Sequence, residues 1–130
     1  MIALIAAAMR DFMPRTAALP GIEDTDVAGF LRRMRREADT AYWLGLVIGT
    51  IVYNLTPLLT VHVPLPAVLL PARLRDLHAR RIVDSKSYMI RQAVFLVRLS
   101  AGMCWGGDAA VRARFELAPY GADPGTFRTS

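Results

Sequence analysis

The side chains able to do chemistry are few, with two histidines, His62 and His78, and one cysteine, Cys104. His78 lies among arginines on a helix face that we expect to be exposed, so a solvated histidine is predicted. His62 lies in an apolar stretch, where it is either a hydrogen-bonded structural residue or a ligand contact. Cys104 falls on the apolar stripe of a predicted helix, which indicates a small buried hydrophobe. A single cysteine excludes an internal disulfide and a cysteine-based zinc cluster.

The acidic residues do not form a catalytic pair either. Asp24 and Asp26 precede a predicted helix, where we expect one cap acid and one loop acid. The sequence contains no phosphate-binding glycine loop, no nucleophile elbow and no metal-spaced set of His, Asp and Glu. Catalysis needs groups placed to exchange protons or to attack a substrate. The sequence therefore predicts no catalytic, cofactor-binding or metal-binding residue, and a chain that is not an enzyme.

Hydrophobic periodicity predicts that the elements around these residues are helices. Residues 2–12 read as a short helix, and 27–41 as an amphipathic helix that no breaker stops before Asn54. Thr25 or Asp26 is the expected cap of this second helix.

Later in the chain, Pro71 is expected to be the first residue of another helix. A helix from about 86 to 105, capped by Asp84 or Ser85, is apolar on both sides and is expected to be buried nearly all round. A short last helix follows Asp108. These patterns predict an all-α fold of about five helices, with one irregular domain over 1–117 and an extended tail over 118–130.

The middle of the chain is the most apolar part, and four prolines interrupt residues 50–71, TIVYNLTPLLTVHVPLPAVLLP. These prolines exclude a continuous helix there. Residues 44–63 carry no charge over 20 positions, enough to span a bilayer, but Asn54, Pro57 and His62 oppose a span. Arginines on both flanks oppose it as well. Two interpretations remain, shallow contact with a membrane or an apolar surface covered by protein, and we favour the second.

Within the Pro-broken segment 43–70, one set of side chains is the candidate surface for a protein partner or a membrane: Trp43, Leu58, Leu59, Val61, Val63, Leu65, Val68 and Leu69. Gly45 and Gly49 form a G-x-x-x-G pair, a pattern found where helices pack closely.

Composition points the same way. The 130 residues are 54% hydrophobic with a mean hydropathy of +0.31, which indicates a surface that another chain or a membrane covers. The net charge of +5 raises nucleic acid as a partner. However, the arginines at 32–36 mix with Glu37 and Asp39, without interleaved aromatic residues, so no nucleic-acid binding is predicted. The opening MIALIAAAMRDF lacks a basic region and a clear cleavage site, so we expect a cytoplasmic location, including the cytoplasmic face of a membrane.

Two regions resemble flavin enzymes of the glucose–methanol–choline oxidoreductase family. The opening "ALIAAAMRDFMPR…LPGIEDTDVAGFLRRM" is similar to the start of the small, non-catalytic subunit of membrane-associated gluconate 2-dehydrogenases. The later "LPARLRDLHARRIVDSKSYMIRQAVFLVRLSAGMCWGGDAAVRARFELAPYG" resembles the helical N-terminal region of long-chain alcohol oxidases.

The resemblance implies a helical accessory subunit of an FAD-dependent alcohol or sterol-type dehydrogenase. It implies that FAD and catalysis belong to a large flavoprotein subunit, and it carries over no catalytic residue. The alternative is a monotopic protein that anchors another complex to a membrane. In either case the tail is expected to bind the partner, because an aromatic-plus-arginine set is typical of interface anchors. Its candidates are Tyr120, Pro124, Phe127 and Arg128.

Overall fold

The computed structural model describes residues 1–119 and residue 121, and this part of the chain is helical, without a strand. The all-α prediction is therefore confirmed. Seven α-helices are present over the described residues: α1 (Ile2–Phe12), α2 (Val27–Glu37), α3 (Thr40–Leu55), α4 (Pro57–Thr60), α5 (Ala72–Val83), α6 (Tyr88–Gly107) and α7 (Ala109–Arg114). Two short 3-10 turns, Ile22–Asp24 and Ala67–Leu69, complete the regular structure.

The helix count exceeds about five partly because the long amphipathic helix expected from residue 27 is two helices. Ala38 has extended backbone, and the side chain of Asp39 accepts a hydrogen bond from the backbone N–H of Ala41 at 2.7 Å. Aspartate favours a cap because its carboxylate satisfies a backbone donor that a helix start leaves free. The expectation that no breaker precedes Asn54 was thus wrong, whereas Asp26 caps α2 as predicted.

The next two helix starts lie close to their predicted positions. Pro71 is the residue before α5 rather than its first residue, and α6 begins at Tyr88 with Ser87 as its cap. The predicted cap, Asp84 or Ser85, was therefore wrong, and Asp84 instead ends α5.

The centre of the fold is an antiparallel hairpin of α3 and α6. Tyr42 near the start of α3 pairs with Ser100 near the end of α6, with 2.9 Å between the two hydroxyl oxygens. Gly49 near the other end of α3 lies against Ala93, so close that a Cβ on Gly49 would overlap the Ala93 carbonyl oxygen. Glycine permits this approach because it has no side chain to separate the helices.

Helices α1 and α5 pack against one side of this hairpin, which we call its inner side. Buried residues of α1, α3, α5 and α6 form one core there: Ile5, Ala8, Met9, Leu46, Tyr53, Ala79, Ile82, Val94, Val97, Ala101 and Cys104. Leu31 of α2 joins the same core. The other side of the hairpin, which we call its outer side, is described with the candidate site.

The irregular middle of the chain follows the prolines, as predicted. Pro57 is the first residue of α4, and Pro66 and Pro71 precede the Ala67–Leu69 turn and α5. His62 has a positive φ of 59°, a left-handed conformation in which histidine is more tolerated than bulky or branched residues. In this segment α4 packs against α3 and α5, and the Ala67–Leu69 turn packs against α1, α3 and α5.

Candidate functional site

The inner side of α3 carries polar side chains that form hydrogen bonds within the fold. The Tyr53 hydroxyl donates a hydrogen bond to Asp11 Oδ2 at 2.9 Å, and its ring packs against His78 with ring centroids 4.6 Å apart. Thr50 donates to the carbonyl of Leu46 at 2.9 Å, and the Asn54 side chain donates to the carbonyl of Thr50 at 2.9 Å. These groups tie α3 to itself and to α1, as buried polar groups generally require.

His78 is 0% exposed, so the prediction of a solvated histidine was wrong. Its position is four residues before Ile82 on the buried stripe of α5, where the arginines around it in sequence point elsewhere. Nε2 lies 2.8 Å from the Tyr53 carbonyl oxygen, and Nδ1 lies 2.6 Å from Thr60 Oγ1. Burial lowers the pKa of His78, although the hydrogen bond to the Tyr53 carbonyl opposes that shift. Since both ring nitrogens have partners, the arrangement links α3, α4 and α5 and offers no free base.

Asp11 and Arg75 complete this interior cluster. Arg75 Nε lies 3.2 Å from Asp11 Oδ1, an ion pair without hydrogen-bond geometry. Burial raises the pKa of Asp11, while the Tyr53 hydroxyl and Arg75 pull it down. The adjoining cavity of about 30 Å³ has room for about one water molecule. We therefore interpret the cluster as a structural contact between α1, α3 and α5, because the cavity beside it is too small for a substrate.

The remaining candidates for chemistry lie near the start of α2. Cys104 is buried as predicted, with Sγ 3.4 Å from Thr25 Oγ1, and burial raises the pKa of its thiol. Asp26 caps α2, and Asp24 pairs with Arg15, whose hydrogen bonding lowers the pKa of the Asp24 carboxyl. Both acids are therefore cap and loop acids, as expected. Within the described part of the chain, no three His, Cys, Asp or Glu side chains are grouped to hold a metal ion.

The outer side of the α3–α6 hairpin is unusual because it exposes large apolar side chains to water. On α3, Leu44, Ile48, Ile51 and Leu55 recur every three or four residues and are all exposed; α6 contributes Phe95, Leu99 and Met103. Both stripes lie opposite the buried residues of their helices, which face the same core. The two stripes therefore point away from the core on the same side, and we call these seven side chains the outer face. No charged residue occurs anywhere in α3.

This result corrects the sequence analysis in two places. Helix α6 is not buried nearly all round, because its outer stripe, together with Tyr88 and Met89 at its start, is exposed. The predicted surface for a partner or a membrane did not include the stripe on α3, because that prediction relied on the proline-rich residues that follow this helix. Its i, i+4, i+7, i+11 spacing from Leu44 to Leu55 was the available signal.

The predicted apolar set divides between surface and interior. Five of its members are exposed large hydrophobics: Leu58, Leu59, Leu65, Val68 and Leu69. Val61 and Val63 are half-buried. Trp43 is half-buried as well, packs on the core, and has the Arg35 guanidinium 6.0 Å from its ring centroid. The tail candidates Tyr120, Pro124, Phe127 and Arg128 lie outside the described residues.

Leu55, Leu58 and Leu65 line one shallow surface groove at the end of the hairpin. None of the helices in the described residues combines the length and hydropathy that crossing a membrane requires.

Compared with known proteins, the chain matches no family model, no curated protein and no solved structure. The resemblance to accessory subunits of glucose–methanol–choline flavoenzymes therefore stays a prediction from the sequence.

Proposed function

We propose that this chain is a non-catalytic accessory subunit that packs its outer face against a larger protein. The observation that carries the proposal is the stripe of Leu44, Ile48, Ile51 and Leu55, exposed on a helix without a charged residue. Soluble proteins rarely leave a continuous apolar area of this kind in water, and such areas mark contacts with another molecule.

The exposure of the outer face suits the centre of an interface with a protein partner. Its seven side chains are between 39% and 71% exposed, so all of them are open to contact. The absence of charge on α3 also matches the depletion of charged residues at interface centres.

The sequence resemblance names the partner class, an FAD-dependent alcohol or sterol-type dehydrogenase of the glucose–methanol–choline family. In this proposal the large flavoprotein holds FAD and performs the oxidation. The present chain stabilises that subunit and helps to shape access for apolar substrates. The complex is proposed to be membrane-associated, on the cytoplasmic side.

Co-expression with such a flavoprotein tests the proposal. We expect the two chains to co-purify in a fixed ratio and the flavoprotein to melt at a higher temperature in the complex. The double variant Ile48→Asn/Ile51→Asn should abolish co-purification, because it places two polar groups at the centre of the outer face.

The matched control is Arg32→Asn/Arg36→Asn on the exposed side of α2, which should leave the complex intact. Retained binding in the outer-face variant would show that the contact lies elsewhere. A flavoprotein that neither binds nor gains stability would contradict the proposed partner class.

A further inference from the structure

The end of the hairpin differs from the outer face because cations stand beside its exposed leucines. Leu58 and Leu59 of α4 and Leu65 after it are exposed, and Met89 at the start of α6 is 75% exposed. We call these four side chains the tip. The antiparallel arrangement of α3 and α6 brings α4 and the start of α6 to the same end of the molecule.

Two cations lie against the tip through contacts in the structure. Arg81 Nη1 donates a hydrogen bond to the Thr60 carbonyl at 2.7 Å, which holds this guanidinium beside α4. Lys86 lines the same groove as Leu59 and Arg81, and both cations are exposed. The fold therefore places two exposed positive charges beside Leu59.

The surrounding sequence keeps this end of the molecule positive. Residues 55–91 contain five arginines and one lysine against two aspartates, Asp76 and Asp84, and Asp11 of α1 pairs with Arg75. Asp76 is held by Arg80 in an ion pair at 3.0 Å. The tip itself lies in residues 40–72 or at the start of α6, and residues 40–72 contain no charged side chain.

We propose that the tip inserts its leucines into the surface of an anionic membrane while Arg81 and Lys86 contact lipid phosphates. Exposed leucines with adjacent cations are complementary to the acyl boundary and to the negative headgroup layer, respectively. Lysine, unlike arginine, is depleted at the centres of protein interfaces, so Lys86 is the cation that favours a lipid surface. The inference rests on the membrane association in the proposed function and adds the surface and the lipid class.

Flotation of the purified full chain with vesicles tests this inference. We expect binding to phosphatidylcholine vesicles that contain phosphatidylglycerol, weaker binding at high salt, and little binding to phosphatidylcholine alone. Leu58→Asn/Leu59→Asn should abolish binding. Lys86→Gln should weaken it about fivefold, because one cation near an anionic surface contributes roughly that factor.

The variant Ile48→Asn/Ile51→Asn is the control, since it removes the same number of apolar side chains from the outer face and leaves the tip intact. It should bind vesicles like the wild type. Circular dichroism establishes that each variant is folded. Equal loss of binding in the tip and outer-face variants, or undiminished binding to neutral vesicles, would overturn the inference.

Different results would contradict the proposed subunit interaction and the proposed lipid contact. A tip variant that still co-purifies with the flavoprotein but no longer floats supports the tip as the lipid contact. A wild-type complex that does not float with anionic vesicles overturns the lipid contact and leaves the subunit interaction standing.

Discussion

The two sides of α3 reverse the usual distribution of polarity on a surface helix. Its inner side carries Thr50, Tyr53 and Asn54, all buried and hydrogen-bonded, whereas its outer side carries exposed aliphatic residues. The inner side is stabilised by directional bonds within the chain, so its polar atoms lose little on leaving water. The outer side has no such partners within the described residues. The comparison indicates that the inner side maintains the fold, whereas the outer side is left exposed.

The largest expected loss of stability is at Gly49, where α3 contacts α6. Gly49→Val should destabilise the fold by about 3 kcal/mol, at the upper end for overpacking, because the added side chain meets the backbone of Ala93 rather than a movable side chain. Urea denaturation of the variant measures this change. A loss below about 0.5 kcal/mol would mean that α3 and α6 separate easily, and the contrast between the two sides would then disappear.

Tyr53→Phe should cost about 1–3 kcal/mol, because it removes the hydroxyl that donates to the partly buried Asp11 carboxylate. The ring contacts with His78 and Phe12 would remain, so the effect isolates the hydrogen bond. Thermal unfolding followed by circular dichroism measures the change. Tyr88→Phe, at an exposed position, is the matched control and should leave the melting temperature unchanged.

The inner side should also make stability depend on pH. Because burial depresses the pKa of His78 below its ordinary value of 6.5, the unfolded chain binds a proton at pH values where the folded chain does not. The stability that neutral His78 contributes is therefore present above pH 6.5 and is lost as pH falls through the folded pKa. Asp11 acts in the opposite sense above 3.8, since its folded pKa is raised.

Urea midpoints at several pH values separate these contributions. The variant His78→Gln should lose the decline in stability below pH 6.5, whereas His62→Asn, at an exposed position, should retain it. An unchanged slope in His78→Gln would assign the decline to another group.

The smallest effect on stability is expected on the outer side. Ile48→Asn should change the free energy of unfolding of the isolated chain by no more than about 0.5 kcal/mol, since this side chain is 55% exposed. Sedimentation velocity should show less self-association than in the wild type, because an exposed apolar patch favours non-specific contact. A large loss of stability would place Ile48 in the core and remove the distinction between the two sides.

The sequence allowed the helical class, the span of α1, the Asp26 cap and the burial of Cys104 to be predicted, because each depends on local propensity or on a strong apolar period. The split between α2 and α3 was missed, since the capping strength of Asp39 had to be weighed against a pattern that continued through it. His78 was misplaced because its two partners, Thr60 and the Tyr53 carbonyl, are 18 and 25 residues away. Periodicity shows that a helix has two faces. It does not identify the buried one when both are apolar, as on α3 and α6.

The rate at which a thiol reagent labels Cys104 can report local opening of this fold. Cys104 is the only thiol in the sequence, it packs in the core beside Thr25, and its raised pKa keeps it protonated at neutral pH. Cys104 is 6% exposed and lines a groove between the start of α2 and the end of α6, so movement of these two helices should control how fast a thiol reagent reaches it. The labelling rate at low denaturant therefore reports how often that region opens. Met103 of the outer face lines the same groove as Cys104 and Thr25, so a partner docked on the outer face should slow the labelling of this thiol.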